Sequence, residues 1–213
     1  MSKSILLALS LTLLAGCQTA YYSAMEKVGY HKRDILVDRV ESAQDSQKDA
    51  QEQFKSALEQ FKSVVNFDGG ELEDVYNKLN SEYEDSVAAA DEVSQRIEKV
   101  NDVAQALFEE WQDELEQYSN ARLKQTSAQQ LRETRSQYDK LIRSMRKAED
   151  KMKPFLTAFH DNVLFLKHNL NAHAIGALKG ELINIQRNVD GLIKEMGKSI
   201  KESDQFIEAL QKP

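Results

Sequence analysis

Apolar and small residues recur at alternating steps of three and four along most of this chain, which is the heptad spacing of helices that pack side by side. In the first such stretch the inward positions are Leu36, Val40, Ala43, Gln47, Ala50, Phe54, Ala57, Phe61 and Val64. No stretch alternates apolar and polar residues with the period of two that a strand requires. The pattern predicts an all-α fold, an elongated antiparallel coiled coil or helical bundle of about four helices.

The composition favours long helices. Charged residues make up 30% of the 213 residues and aromatic residues 8%, and Pro154 is the only proline before the terminal Pro213. A chain with so few prolines and many good helix formers can form helices that run uninterrupted. The net charge of −7 makes nucleic acid an unfavourable partner.

Turn residues divide the pattern into helices. Gly69 and Gly70 should end the first helix, because glycine adopts the positive φ that a helix end and a turn require. Pro154 should lie in the first turn of a new helix, the position that proline favours. The helices are expected at about 33–66, 71–152, 154–169 and 173–210. The last should have its inward positions at Ile175, Leu178, Leu182, Ile185, Val189, Leu192, Met196 and Ile200.

The second predicted helix is by far the longest. Unbroken over 71–152, it would reach roughly 120 Å at 1.5 Å per residue. Its apolar stripe weakens between Leu115 and Leu131 and resumes one residue out of phase. Either the helix continues there with a local change in winding, or it bends.

The N-terminal residues predict export and lipid attachment. An apolar run from Ile5 to Leu14, preceded by Lys3, is about half the length needed to span a bilayer, which is typical of a secretory signal peptide. The tetrapeptide at 14–17 is Leu-Ala-Gly-Cys, and Cys17 is the only cysteine. This pattern resembles the bacterial lipobox, whose cysteine carries diacylglycerol and an N-acyl chain. The alternative is an ordinary signal peptide followed by a chance cysteine.

The lipobox resemblance implies a division of the chain. Residues 1–16 would be removed as the signal peptide, 17–32 would form the lipidated N-terminus and linker, and 33–213 would form a single helical domain. Gln18 follows the cysteine. In the lipoproteins of enteric Gram-negative bacteria, which this resembles, a residue other than aspartate there favours the outer membrane. We therefore expect a protein anchored by lipid to the outer membrane and facing the periplasm.

Charge is uneven along the second predicted helix. Residues 68–92 hold nine acidic side chains and one lysine, whereas 131–153 hold eight basic and four acidic ones. The basic residues that would contact anionic lipid head groups or wall polymer are Arg132, Arg135, Arg143, Arg146 and Lys147. The alternative is a solvated helix whose charges pair with a neighbouring helix.

No catalytic or cofactor-binding residue can be identified. The chain has no phosphate-binding glycine loop and no nucleophile motif. His160, His168 and His173 lack the Glu-x-x-His spacing of metal-binding bundles, so capping and interhelical hydrogen bonds explain them better than a metal does. Gly176 and Gly180 lie four residues apart, which we interpret as a place where a second helix approaches closely. We expect no enzyme, no metal and no cofactor.

The segment FLKHNLNAHAIGALKGE at 165–181, together with the lipobox, resembles an uncharacterised family of Gram-negative lipoproteins that contain a domain of unknown function. The resemblance implies no activity, substrate or site residue. The expected function is that of a coiled-coil scaffold or tether of the cell envelope, which holds a partner protein, its own copies or the wall. The alternative is a helical bundle that binds a small ligand or metal at the 154–180 turn.

Overall fold

A computed structural model describes residues 29, 31–67 and 69–211 of the chain. The predicted signal peptide, Cys17 and most of the predicted linker lie outside these residues. Four helices make up the described structure: α1 (Lys32–Val65), α2 (Leu72–Leu115), α3 (Ala121–His168) and α4 (Ala172–Gln211). The described residues contain no strand, so the predicted all-α fold is confirmed. None of the described helices has an apolar stretch long enough to cross a bilayer.

The helices form an antiparallel bundle in which each packs against two others. α1 packs against α2 and α4, and α3 packs against the same two helices on the other side. The direction of α4 relative to α1 follows from two hydrogen bonds, because Gln44 donates to the carbonyl of Ile200 whereas Gln51, further along α1, donates to that of Ile193. The longest helix, α3, has 48 residues and is about 72 Å long.

The predicted continuous helix over 71–152 is wrong. α2 ends at Leu115, and α3 begins at Ala121 and runs back along α2, where the Tyr138 hydroxyl donates to Asn101 Oδ1 at 2.9 Å. Asn120 starts the new helix, since its Oδ1 accepts hydrogen bonds from the backbone N–H groups of Arg122 and Leu123. The change of phase in the apolar stripe therefore marks a reversal of the chain, and the rod of roughly 120 Å is replaced by a bundle of about 72 Å.

The predicted boundary at Pro154 is also wrong. Pro154 lies inside α3, which continues to His168. Proline within a helix costs about 3 kcal/mol, so neighbouring packing has to offset it. Phe155 and Phe159 supply that packing on the next turn: their ring centroids lie 5.2 Å and 6.0 Å from those of Phe54 and Phe61 on α1. Helices α1 and α4, in contrast, lie within one residue of their expected bounds at each end.

The bundle core follows the predicted heptads with two exceptions, both on α4. All the inward positions of α1 are buried, including Gln47. On α4 the expected positions Leu182 and Ile200 are only partly buried, whereas Ser199 and Ser203 are fully buried. Steps of three and four from Met196 lead to these serines, so spacing determines burial here more than the polarity of the side chain does.

Tyr138 is the most perturbed titratable group of the core. Its side chain is 3% exposed, and its ring lies 5.4 Å from that of Phe108 and 6.3 Å from that of Phe206. Burial raises the pKa of the Tyr138 phenol to about 12, because the phenolate would lose its hydration.

We expect this shift to make the fold sensitive to strong alkali. Folding raises the pKa of Tyr138, so the contribution of this residue to the free energy of unfolding is complete below pH 10 and is lost as the pH rises towards 12. Between pH 9 and pH 11.5 the wild type should lose about 2 kcal/mol more unfolding free energy than Tyr138→Phe does. Urea unfolding followed by circular dichroism at both pH values measures this difference, and parallel losses in the two proteins would contradict it.

Candidate functional site: the groove between α2 and α3

An open groove of about 680 Å³ lies between α2 and α3. Its floor is apolar and consists of Val87 and Ala90 from α2 with Met152 and Leu156 from α3. The α2 side chains are short here, because the sequence places Val87 beside a run of three alanines. Short side chains on one wall leave the space between the two helices unfilled, which is what creates the groove.

Aromatic rings form one end of the groove. The centroid of the Tyr83 ring lies 5.0 Å from that of His160, and Tyr83 also stacks on Phe159 with centroids 6.3 Å apart. Because Phe159 is buried in the core, this stack fixes the position of both groove rings.

The rim of the groove is predominantly acidic. Asp91, Glu149 and Asp150 lie on it with a single basic residue, Lys153. Glu149 accepts a hydrogen bond from Arg146 at 2.9 Å, whereas Asp91 and Asp150 are exposed and form no ion pair within the described residues. Because Glu149 is paired and Lys153 offsets one of the two aspartates, the rim has a small net negative charge above an apolar floor.

The two charge blocks found in the sequence do not face each other. Of the acidic side chains in the block at 68–92, only Asp91 lines the groove, and Tyr83 of the same block lies beside His160. The basic block at 131–153 lies mostly beside the second half of α2, where Arg146 pairs with Glu98 at 2.7 Å. In the groove the acidic side chains come from both helices, Asp91 from α2 with Glu149 and Asp150 from α3.

Three of the five predicted basic contact residues are held by neighbouring helices. Arg135 donates to the carbonyl of Phe108 at 3.2 Å and lies over that ring, and Arg146 bridges two glutamates. Lys147 lies 3.1 Å from Glu195 on α4. Hydrogen bonds from Lys198 and Lys147 hold the pKa of Glu195 below its usual value.

The two remaining members of that set, Arg132 and Arg143, are exposed and form no ion pair within the described chain. Contact of these arginines with an anionic surface stays a prediction.

The three histidines of the 154–180 turn, His160, His168 and His173, do not form a metal site. His160 lies in the groove, whereas His168 and His173 are exposed near the α3–α4 turn. Among the described residues there is no group of three histidine, cysteine, aspartate or glutamate side chains that could hold a metal ion. At the turn itself, Asn171 Oδ1 accepts hydrogen bonds from the backbone N–H groups of His173 and Ala174, as expected of an N-cap.

The interpretation of Gly176 and Gly180 as a point of close helix approach is wrong within the bundle. A Cβ atom placed on either glycine would have no atom of another described helix within 4 Å. Both glycines therefore face outwards from α4, away from the other three helices.

Of the groove residues, only Leu156, Thr157 and His160 lie in the 154–180 segment that was the alternative ligand site expected from the sequence. Tyr83, Asp91 and Asp150 are ordinary residues of charged helices when read along the chain. The single relevant sequence feature is the alanine run at 88–90, which indicates a helix surface without bulk.

Comparison with known proteins identifies the family but no activity. A family model described as a protein of unknown function (DUF2959) matches residues 21–210, which takes in all four helices and the groove. No curated protein matches the chain. The chain belongs to the DUF2959 family.

Proposed function

We propose that this protein is a lipid-anchored interaction protein of the cell envelope, which holds a partner in the α2–α3 groove. The observation that carries the proposal is the groove itself, where an apolar floor lies beneath an acidic rim. An apolar centre surrounded by charged residues is the usual arrangement of a protein interface. We propose a binding role and no catalytic one.

The groove suits a helix whose apolar ridge is flanked by lysine or arginine. The apolar ridge would lie on Ala90 and Met152, and the basic side chains would pair with Asp91 and Asp150. Opposite charges at the rim of an interface speed association and select the correct partner. An amphipathic helix laid between two others is a common form of peptide recognition.

The proposed anchor fits the position of the groove. The linker that follows Cys17 enters α1 at the end of the bundle where Lys32 pairs with Glu110 at 2.9 Å. The groove begins at Ser94 and extends to Tyr83, which is 16 to 27 residues back along α2, or about 25–40 Å. A partner in the groove would therefore be held near the membrane surface but clear of it. Anchorage to the outer membrane on its periplasmic face is part of this proposal.

Binding of a small amphiphilic ligand is the second candidate function. The groove volume of about 680 Å³ lies within the range of small-molecule sites. Three groove residues, Leu156, Thr157 and His160, also belong to the 154–180 segment for which the sequence suggested a ligand site.

Photo-crosslinking in intact cells tests the proposal. A photoreactive amino acid at Asp91 should give one discrete protein adduct, whereas the same amino acid at Asp49, an exposed aspartate on α1, should give none. Asp150→Lys should reduce the Asp91 adduct about tenfold if the partner is basic. Equal adducts from both positions, or an adduct unaffected by Asp150→Lys, would contradict a basic partner in the groove.

A further inference from the structure

One layer of the core contains polar side chains that have no partner. Gln47 of α1 and Ser199 of α4 are both completely buried. Neither the Gln47 amide nitrogen and oxygen nor the Ser199 hydroxyl forms a hydrogen bond. Most buried polar groups in folded proteins are hydrogen-bonded, so this layer is exceptional.

These side chains lie at the same level of the α1–α4 interface. Gln44 donates to the carbonyl of Ile200, and Gln51 donates to that of Ile193. This register places Gln47 level with Gly197 on α4, two residues before Ser199. The α1–α4 interface thus combines glutamines bound to α4 carbonyls with buried groups that bind nothing.

Buried polar residues in the other described interfaces are satisfied. Ser86 donates to the carbonyl of Glu82, Ser127 accepts from Trp111 Nε1, and Asn162 donates to the carbonyl of Ala158. A buried polar group without a partner favours any state in which water reaches it. The free-energy cost of burying Gln47 and Ser199 without hydrogen-bond partners therefore destabilises the α1–α4 interface.

The connectivity of the bundle directs motion to the same interface. Turns join α1 to α2, α2 to α3, and α3 to α4, but no turn joins α1 to α4. Separation of these two helices requires no loop to stretch. The turn at Glu116–Asn120 between α2 and α3 would serve as the hinge, because it is the turn that joins the α1–α2 hairpin to the α3–α4 hairpin.

We infer that the bundle opens reversibly along the α1–α4 interface, with the α1–α2 hairpin parting from the α3–α4 hairpin while each hairpin stays intact. In the open state water hydrates Gln47 and Ser199. Opening also exposes the apolar inner faces of both hairpins to water. Sub-global opening of this kind occurs in cooperative units that coincide with supersecondary motifs.

Thiol labelling of buried cysteines tests the opening. S199C places a thiol in the interface that opens, and S86C places one inside the α1–α2 hairpin; both serines are fully buried. Ser86 lies one turn after Glu82, whose side chain accepts hydrogen bonds from Gln53 and Ser56 of α1. Both variants are made in the full chain with Cys17→Ser, so that each protein has one thiol. We expect S199C to react at least about tenfold faster than S86C with a thiol reagent under native conditions.

Removal of the unpartnered amide provides the second measurement. Gln47→Leu should slow the labelling of S199C about tenfold and leave that of S86C unchanged, because it removes the group that opening hydrates. If Gln47→Leu does not fold, Gln47→Met, whose side chain is unbranched, replaces it in the same measurement. Equal labelling rates of S199C and S86C would overturn the inference. It would also be overturned if Gln47→Leu left the labelling rate of S199C unchanged, or slowed the labelling of both cysteines equally.

Discussion

Replacing Cys17 with serine should move nearly all of the protein from the membrane fraction to the soluble fraction of the envelope. Each buried methylene of an acyl chain contributes about 0.8 kcal/mol to membrane binding, so two or three chains make release negligible. Serine offers no thiol for the diacylglycerol, and the variant would therefore lose the entire anchor. Cell fractionation followed by detection of the protein measures the change.

Gln18→Asp is the matched control for this experiment. It changes the neighbouring residue and keeps the cysteine, so the protein should stay in the membrane fraction. By the sorting rule that the lipobox resemblance implies, it should also shift from the outer to the inner membrane. A serine variant that still sediments with membranes would show that Cys17 is not the anchor.

Phe155→Ala should be the most destabilising single truncation of the core, at about 3–5 kcal/mol. The Phe155 side chain is fully buried and meets the Phe54 ring edge-on at 5.2 Å. It also follows Pro154 directly, so the same packing holds α3 together where a backbone hydrogen bond is missing. The loss therefore combines a cavity with a weakened helix.

Phe165→Ala provides the comparison for this truncation. Phe165 lies on the same helix with 38% of its surface exposed, and its truncation should cost less than about 1 kcal/mol. Urea unfolding followed by circular dichroism gives both values. Equal losses from the two variants would mean that the aromatic contact between α1 and α3 does not hold the bundle.

The first and last helices could be predicted closely because local residues determine their ends. The α1 heptads run without a phase change up to the glycines at 69 and 70, and α4 begins at the Asn171 cap. Predictions from local sequence were wrong where packing against other helices determined whether a helix ended. Pro154 favours a helix start by itself, yet Phe155 and Phe159 pack into the core and keep α3 continuous.

The break between α2 and α3 was visible in the sequence but ambiguous. A phase change and the pair Ser119-Asn120 are compatible with altered winding as well as with a turn. The chain turns back only if the free energy gained by packing α3 on α2 exceeds the free energy lost by interrupting the helix. That balance involves residues such as Asn101 and Tyr138, which are 37 positions apart.

The groove could not be predicted for the same reason. Its rim residues Asp91 and Lys153 are 62 positions apart, and in an unbroken helix they would lie about 93 Å from each other. Ser199 illustrates a different limit, because a small polar residue beside an isoleucine is normally assigned to the surface. Its burial follows from its spacing of three residues from the core residue Met196.

The distance between Asp91 and Lys153 tests the central claim, that the chain folds back at 116–120 and so builds the groove. Both residues are exposed, so D91C and K153C with Cys17→Ser give two sites for spin labels. The axes of packed helices lie 8–10 Å apart. Pulsed electron paramagnetic resonance should therefore measure a distance of less than about 30 Å between the two spin labels. A separation near 90 Å would mean that the helix runs straight through residues 116–120 and that no groove exists.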